Sequence, residues 1–293
     1  MVHRYIIQLQ EMVKKLDQLS RSDDPGPYVG SMYEHLREME VKQNQRPLPN
    51  YMEMVQNDVT PATRGALVDW LVEVAEEYKL GSETLYLTIS HIDRFLSMKT
   101  IKKQKLQLVG VSAMLIASPP NVEDLCYITA NAYTIQDVLK MEREILLALP
   151  FELESPTINT FLRRLIKVAQ EDFKVPQLKL ESLCCYLSEL TILDYYITLN
   201  FMPSLLAASA VFLARFIIRP ELHPWNQMLK EYTKYKATDL QECVGIIHDL
   251  YLSRRGGTLQ AVRKKYKQPE FHCVATMPVS PELPVTFWTD VTI

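Results

Sequence analysis

Two stretches of this chain carry no charged side chain at all, Leu106 to Val122 and Phe201 to Ala214. A helix that is apolar on every side has no face that prefers water, so it belongs in the middle of a bundle. Gly110, Ser112, Ala113 and Ala117 in the first stretch, and Ala207, Ala208, Ser209 and Ala210 in the second, are small enough for neighbouring helices to close in. The second stretch is too short to span a bilayer and contains Pro203, so it reads as buried core. The two stretches lie about a hundred residues apart, which predicts two similar helical units in tandem.

The surrounding sequence has the periodicity such cores require. Thr60-Pro61 is a helix start, with Thr as the N-cap and Pro at the first helical position. Leu67, Trp70, Leu71, Val74, Ala75 and Tyr78 then recur along one helical face. Gly81 is expected to end that helix and Ser82 to cap the next, whose inward residues are Leu85, Ile89, Ile92 and Leu96. Pro119-Pro120 stops the first charge-free helix, and a short helix runs from Val122 to Tyr127. Thr134 with Asp137 resembles a capping box, opening a helix with Val138, Met141, Ile145 and Leu149 inward.

Pro150 breaks the chain and the pattern restarts at Ser155-Pro156, with helices expected at about 156–170, 177–194, 203–218, 224–232 and 239–253. Thr238 and Gln241 suggest a capping box for the last of these. A short basic helix at about 258–267 and a Pro-interrupted tail follow. Ahead of the first unit, the pattern suggests an opening helix at about 4–20, a Pro/Gly linker, and a helix from about Gly30 to Val41. The predicted fold is all-α: two tandem five-helix units with a preceding N-terminal helix. The expected divisions are 1–28 polar lead-in and linker, 29–150 N-terminal helix plus first unit, 151–268 second unit, and 269–293 C-terminal tail.

Composition narrows the function. The chain has 293 residues and a formal net charge of −3, which removes the electrostatic driver for general nucleic-acid binding. Only 8 glycines are present, too few for a fold rich in tight βα turns and phosphate-cradling loops. The 5 cysteines form no CxxC pair, which reads as reduced thiols in an intracellular protein. Met1 is followed by a mixed charged segment and not by a signal-peptide pattern. No phosphate-loop, HExxH or GxSxG motif occurs, and no two histidines share the i, i+4 spacing of metal ligands. No catalytic residue, metal site or cofactor is therefore predicted, and no membrane partner.

Several segments resemble one family in register. Arg64-Gly65-Ala66-Leu67-Val68-Asp69-Trp70-Leu71-Val72-Glu73-Val74 resembles the first helix of the cyclin box. His91-Ile92-Asp93-Arg94-Phe95-Leu96, Lys105-Leu106-Gln107-Leu108-Val109-Gly110 and Met141-Glu142 follow in the family's order. Tyr33-Glu34-His35-Leu36-Arg37-Glu38-Met39-Glu40 is similar to the helix that precedes the box in A-type cyclins. His223-Pro224-Trp225-Asn226 and Val274-Ala275-Thr276-Met277-Pro278 resemble the plant A-type members.

The resemblance implies a regulatory subunit that binds and activates a cyclin-dependent serine/threonine kinase in cell-cycle control, in nucleus and cytoplasm, without chemistry of its own. Such a subunit shifts a two-state partner by making contacts present only in its active arrangement. Arg64 and Asp93 correspond to the family's internal ion pair, Leu108 to a core position, and Glu142 to an acid that meets the kinase backbone. Leu67, Trp70, Glu73 and Gln107 match the family's docking patch for Arg-x-Leu-bearing substrates or inhibitors.

This chain departs from the pattern in places. The family continues its third helix as Ala-Ser-Lys-Tyr/Phe-Glu-Glu-Ile, whereas here Ala117-Ser118 runs straight into Pro119-Pro120. The missing Lys would supply donors that Pro lacks, which implies weakened kinase binding. Thr63, Ala66 and Ala130 stand where the family usually has larger apolar residues or an acid, which implies weaker substrate docking. Two alternatives stay open: a cyclin fold with little or no kinase activation, and a transcription-factor-like adaptor using the basic run Lys264-Lys265-Tyr266-Lys267.

Overall fold

The structure is a computed structural model that describes residues 29–42, 45–118, 121–171, 177–253 and 257–288. The expected opening helix and linker, and Pro119-Pro120, lie outside the described residues. Among the described residues helix accounts for 69%, and no strand occurs. The helices, in chain order, are α1 (Val29–Glu40), α2 (Tyr51–Met54), α3 (Pro61–Glu77), α4 (Ser82–Leu96), α5 (Leu106–Ala117), α6 (Val122–Ile128) and α7 (Ile135–Ala148). They continue as α8 (Ile158–Gln170), α9 (Gln177–Ile192), α10 (Tyr195–Asn200), α11 (Pro203–Ile218), α12 (Gln227–Thr233), α13 (Ala237–Tyr251) and α14 (Ala261–Lys265).

The helices that carry the two charge-free stretches are the hubs. α5 packs against α3, α4 and α7, and its residues from Leu108 to Ile116 are all buried. α11 packs against α8, α9 and α13, with Ala207, Ala208 and Ala210 fully buried where those helices approach. Gly110 shows why small residues are needed here: an added Cβ would come within 2.9 Å of Leu67 Cδ1 on α3.

Local capping sets several starts. The Thr60 side chain accepts the Thr63 N–H, and the Thr63 hydroxyl oxygen accepts the Thr60 N–H at 2.9 Å. Thr134 and Asp137 make the same reciprocal pair at the start of α7. Elsewhere the register differs from the sequence expectation. α3 ends at left-handed Lys79 (φ 49°), while Gly81 takes the N-cap position of α4 and Ser82 is its first residue. α8 is capped by Thr157, not Ser155, because Thr157 and Thr160 pair reciprocally and both donate to Glu83 on α4. At α13, Asp239 accepts the Lys236 N–H at 2.8 Å, so the cap lies two residues before the expected Thr238. α12 begins after Asn226, whose side chain accepts the Leu229 N–H. The second unit also holds α10, which the periodicity reading missed, capped by Asp194. The expected basic helix at about 258–267 contracts to α14.

The N-terminal helix belongs to the second unit's surface. Buried Tyr33 packs on Phe161 and Tyr232, and the buried Glu40 carboxylate accepts from the Ser204 N–H (3.0 Å) and hydroxyl (2.6 Å). Burial raises the Glu40 pKa, and the Ser204 bonds only partly oppose that. Glu83 ties the units directly, accepting from Thr157, Asn159 and Thr160.

Candidate functional site

α3 carries two kinds of side chain: one set that fixes it in place and one set that it presents. Arg64 points inward. Its Nε donates to Asp93 Oδ1 (2.8 Å) and its Nη2 to Asp93 Oδ2 (2.6 Å), a two-point bond between side chains 0% and 1% exposed. Arg64 Nη1 also donates to the Ile192 carbonyl (2.8 Å), and the Tyr51 hydroxyl donates to Asp93 Oδ1 (2.8 Å). One ion pair therefore joins α2, α3 and α4 to the end of α9 in the second unit. Burial alone would discourage the Arg64 charge, but Asp93 outweighs it and holds the guanidinium pKa above its ordinary value. Sequence reading supplied the pair but not Tyr51 or the Ile192 carbonyl. A carbonyl carries no sequence signature.

The docking-patch residues divide by depth. Leu67 is buried against Gly110, Trp70 on the same helix face and Gln107 on α5 are half-buried, and Glu73 is exposed. Leu67 is therefore part of the α3–α5 core as well as of any groove floor. One turn beyond Glu73, Glu77 and Tyr78 border a shallow depression completed by Tyr127, Ile128, Ala130 and Asn131. Tyr127 stands there 74% exposed. Leu108 is buried in α5.

α7 turns Val138, Met141, Ile145 and Leu149 inward. Its outer side is mixed: Ile135, Leu139 and Leu147 are 41%, 43% and 63% exposed, among exposed Gln136, Asp137, Lys140, Arg143 and Glu144. Half-buried Glu142 lies on the same side as Ile135 and Leu139. α5 stops at Ala117, with Ser118 in extended backbone.

The sequence places a short basic helix after Gly257, with Lys264-Lys265-Tyr266-Lys267 as the cluster a nucleic-acid adaptor would use. The structure corrects that. Lys265 is buried and bonds both Glu189 oxygens (3.0 and 3.1 Å) and Glu76 (3.0 Å), so it is no free cation for a nucleic-acid face. Burial works against its charge, but the two carboxylates overcome this and raise its pKa. Asp69 on α3 accepts the backbone N–H of Gln260 (3.3 Å) and Ala261 (2.9 Å), and Lys264 approaches Glu73 at 3.9 Å.

Among the described residues, no group of three or more His, Cys, Asp or Glu is placed to hold a metal ion. Cys126, Cys184 and Cys243 are buried, and all five cysteines are free thiols. Buried His91 faces the Leu153 carbonyl at 3.0 Å and buried His248 the Ser280 carbonyl at 2.9 Å, roles of core histidines. No described helix is long and apolar enough to cross a membrane.

Two helical units, each built on a largely apolar hub helix and presenting apolar and acidic side chains, define a protein that works by surface contact. The chain belongs to the cyclin family, among its plant A-type members: the family's "Cyclin, N-terminal domain" matches residues 31–154 and its "Cyclin, C-terminal domain" residues 156–280. Cyclin-A3-2 of Arabidopsis thaliana is 74% identical over 292 residues, covering 97% of this chain and 78% of that protein. The G2/mitotic-specific cyclin C13-1 of Daucus carota is 52% identical over 278 residues, covering 92% and 81%.

A viral cyclin from herpesvirus saimiri shares the fold with a TM-score of 0.65 at 22% identity, over 74% of this chain and 95% of that one. A chain of the yeast RNA Pol II CTD kinase CTDK-1 complex does so with a TM-score of 0.56 at 12% identity, over 81% and 84%. Cyclins are regulatory subunits of kinases and not enzymes themselves, and this chain is a cyclin-dependent-kinase regulator of the cell cycle.

Proposed function

We propose that this cyclin binds and activates a cyclin-dependent serine/threonine kinase at the mitotic transition, in nucleus and cytoplasm. In this reading the outer side of α7 meets the kinase, and the Leu67, Trp70, Glu73 and Gln107 face of α3 and α5 docks Arg-x-Leu substrates or inhibitors. The observation that carries the kinase contact is the placement of half-buried Glu142 beside exposed Ile135 and Leu139 on one side of α7. Two apolar side chains next to an acid suit an interface that excludes water and strengthens a hydrogen bond to partner backbone.

A second reading, weak or absent activation, draws support from the end of α5. α5 ends at Ala117 with Ser118 extended, and the sequence continues with Pro119-Pro120 where the family has its lysine. Truncating one partner of an interfacial charged pair typically costs about 2–5 kcal/mol, roughly 30- to several-thousand-fold in affinity. A DNA-binding adaptor is disfavoured by the burial of Lys265.

The test is capture of a purified cyclin-dependent kinase and stimulation of histone phosphorylation by the full chain. Glu142→Ala is expected to weaken capture about 10- to 100-fold, the loss of a charge-assisted hydrogen bond. No complex at micromolar concentration would reject activation. Inserting Lys-Tyr-Glu-Glu-Ile-Ser after Ser118 is expected to tighten binding. Equal capture with and without the insert would show that the lysine is not decisive.

A further inference from the structure

We propose that Lys264 is a resident competitor for Glu73, so that the chain's own C-terminal segment sets how strongly the α3 docking face accepts a cationic ligand. The inference rests on the docking reading above and assigns it a residue from the far end of the second unit.

The segment runs beside α3 in step with it. An added Cβ on Gly65 would meet Leu259 Cδ1 at 3.0 Å. Asp69 accepts from Gln260 and Ala261, Glu73 faces Lys264, and Glu76 faces Lys265. Four positions along the helix, each about a turn apart, thus meet five residues of the segment, in the same direction.

Helical geometry puts Glu73 at the seam between two faces. At about 100° per residue, Glu73 lies roughly 40° from Asp69 on the segment side and roughly 60° from Trp70 on the docking side. The same carboxylate can therefore turn to Lys264 or to a ligand cation docked over Trp70.

The anchor is rigid and the competitor is not. Ala261, Val262 and Lys265 are buried, and Lys265 is held by Glu189 and Glu76. That fixes the backbone on either side of Lys264. The Lys264 side chain is 70% exposed and that of Glu73 is 55% exposed, with 3.9 Å between them. A wet pair at that distance is weak, so it tunes the site without locking it. An arginine on the ligand displaces Lys264, because a guanidinium makes two-point bonds to a carboxylate where an ammonium acts as a point charge.

The experiment measures fluorescence anisotropy of a labelled Arg-x-Leu peptide, and of the same peptide with citrulline in place of Arg, on the full chain. Lys264→Ala is expected to bind the Arg peptide about two- to fivefold tighter at low salt, the range of an exposed ion pair. Lys264→Glu should gain more. Both gains should shrink at about 0.5 M salt, where the Debye length falls to about 4 Å, close to the separation of the pair. The Lys264→Ala gain should vanish for the citrulline peptide and in a Glu73→Gln background. An unchanged affinity in Lys264→Ala, or a gain that survives Glu73→Gln, overturns the assignment. If Trp70→Ala abolishes binding while Lys264→Ala changes nothing, docking stands and Lys264 is only a surface charge. If the Arg peptide binds neither the parent chain nor Lys264→Ala, the docking reading itself falls and takes this inference with it. The urea midpoint of Lys264→Ala is expected to match the parent, since the Lys265 anchor is intact.

Discussion

Replacing Asp93 by Ala is the most direct probe of what holds the presenting helix. The substitution removes both acceptors of the Arg64 fork and the partner of the Tyr51 hydroxyl. It leaves a guanidinium that is 0% exposed and still donating to the Ile192 carbonyl. Breaking a buried pair by removing one side costs about 3–5 kcal/mol, because the remaining charge is stranded away from water. The orphaned Tyr51 hydroxyl lies within the upper part of that range and does not add in full. A loss of about 4 kcal/mol is large beside the roughly 5–15 kcal/mol that stabilises a typical protein, and corresponds to a fall in Tm on the order of 10 °C. Urea unfolding of the free chain, followed by circular dichroism and tryptophan fluorescence together, measures it. Two comparisons sharpen the reading. Arg219→Ala breaks a pair with Glu221 that is open to solvent and should leave the midpoint unchanged. The double replacement Arg64→Met, Asp93→Leu removes both charges at similar volume and should recover most of the loss. Should Asp93→Ala and Arg219→Ala shift the midpoint equally, burial is not what makes the Arg64–Asp93 pair matter, and the argument fails.

Two further outcomes follow from buried groups in the first unit. Burial, aided by nearby Arg94, lowers the His91 pKa from 6.5 to about 4. Between those values the unfolded chain takes up a proton that the folded chain refuses, so stability is full above pH 6.5 and falls as the pH drops toward 4, by about 3 kcal/mol over the window. His91→Gln should flatten that part of the stability–pH profile relative to the parent; an identical slope would refute the assignment. Gly110→Ala drives a methyl to 2.9 Å from Leu67 Cδ1. The tip of Leu67 must shift, at about 1 kcal/mol, near the low end of overpacking costs. That variant should also weaken Arg-x-Leu peptide binding, and an unchanged midpoint together with unchanged peptide affinity would show that Leu67 has room to move.

The parts of the fold that came through from sequence are those written in adjacent residues. α11 matches its expected span, Pro203–Ile218, because an apolar run opened by a proline leaves little choice of limits. The caps at Thr60 and Thr134 were legible because donor and acceptor lie three residues apart. Cap register failed at Ser155 and Ser82, where a distant carboxylate or a left-handed residue decides between neighbouring hydroxyls. Helix α10 was missed because six residues are fewer than two full turns and show no periodicity. In the candidate site, spacing and resemblance brought out Arg64, Asp93, Trp70, Glu73 and Glu142, while nothing local marked Tyr51 or the Ile192 carbonyl as their companions.

By itself, then, the sequence determined an all-helical chain of two hub-centred units, since burial of apolar surface is written residue by residue and repeats with the helical period. Only the tertiary structure decided the fate of the charges. Lys265 looks like any exposed lysine until Glu189, 76 positions away, and Glu76 close around it. Its neighbour Lys264 stays in water at the edge of the α3 face. A charge is polar on every local scale, and whether it is buried and paired or free to meet a ligand depends on which distant carboxylate the fold brings beside it.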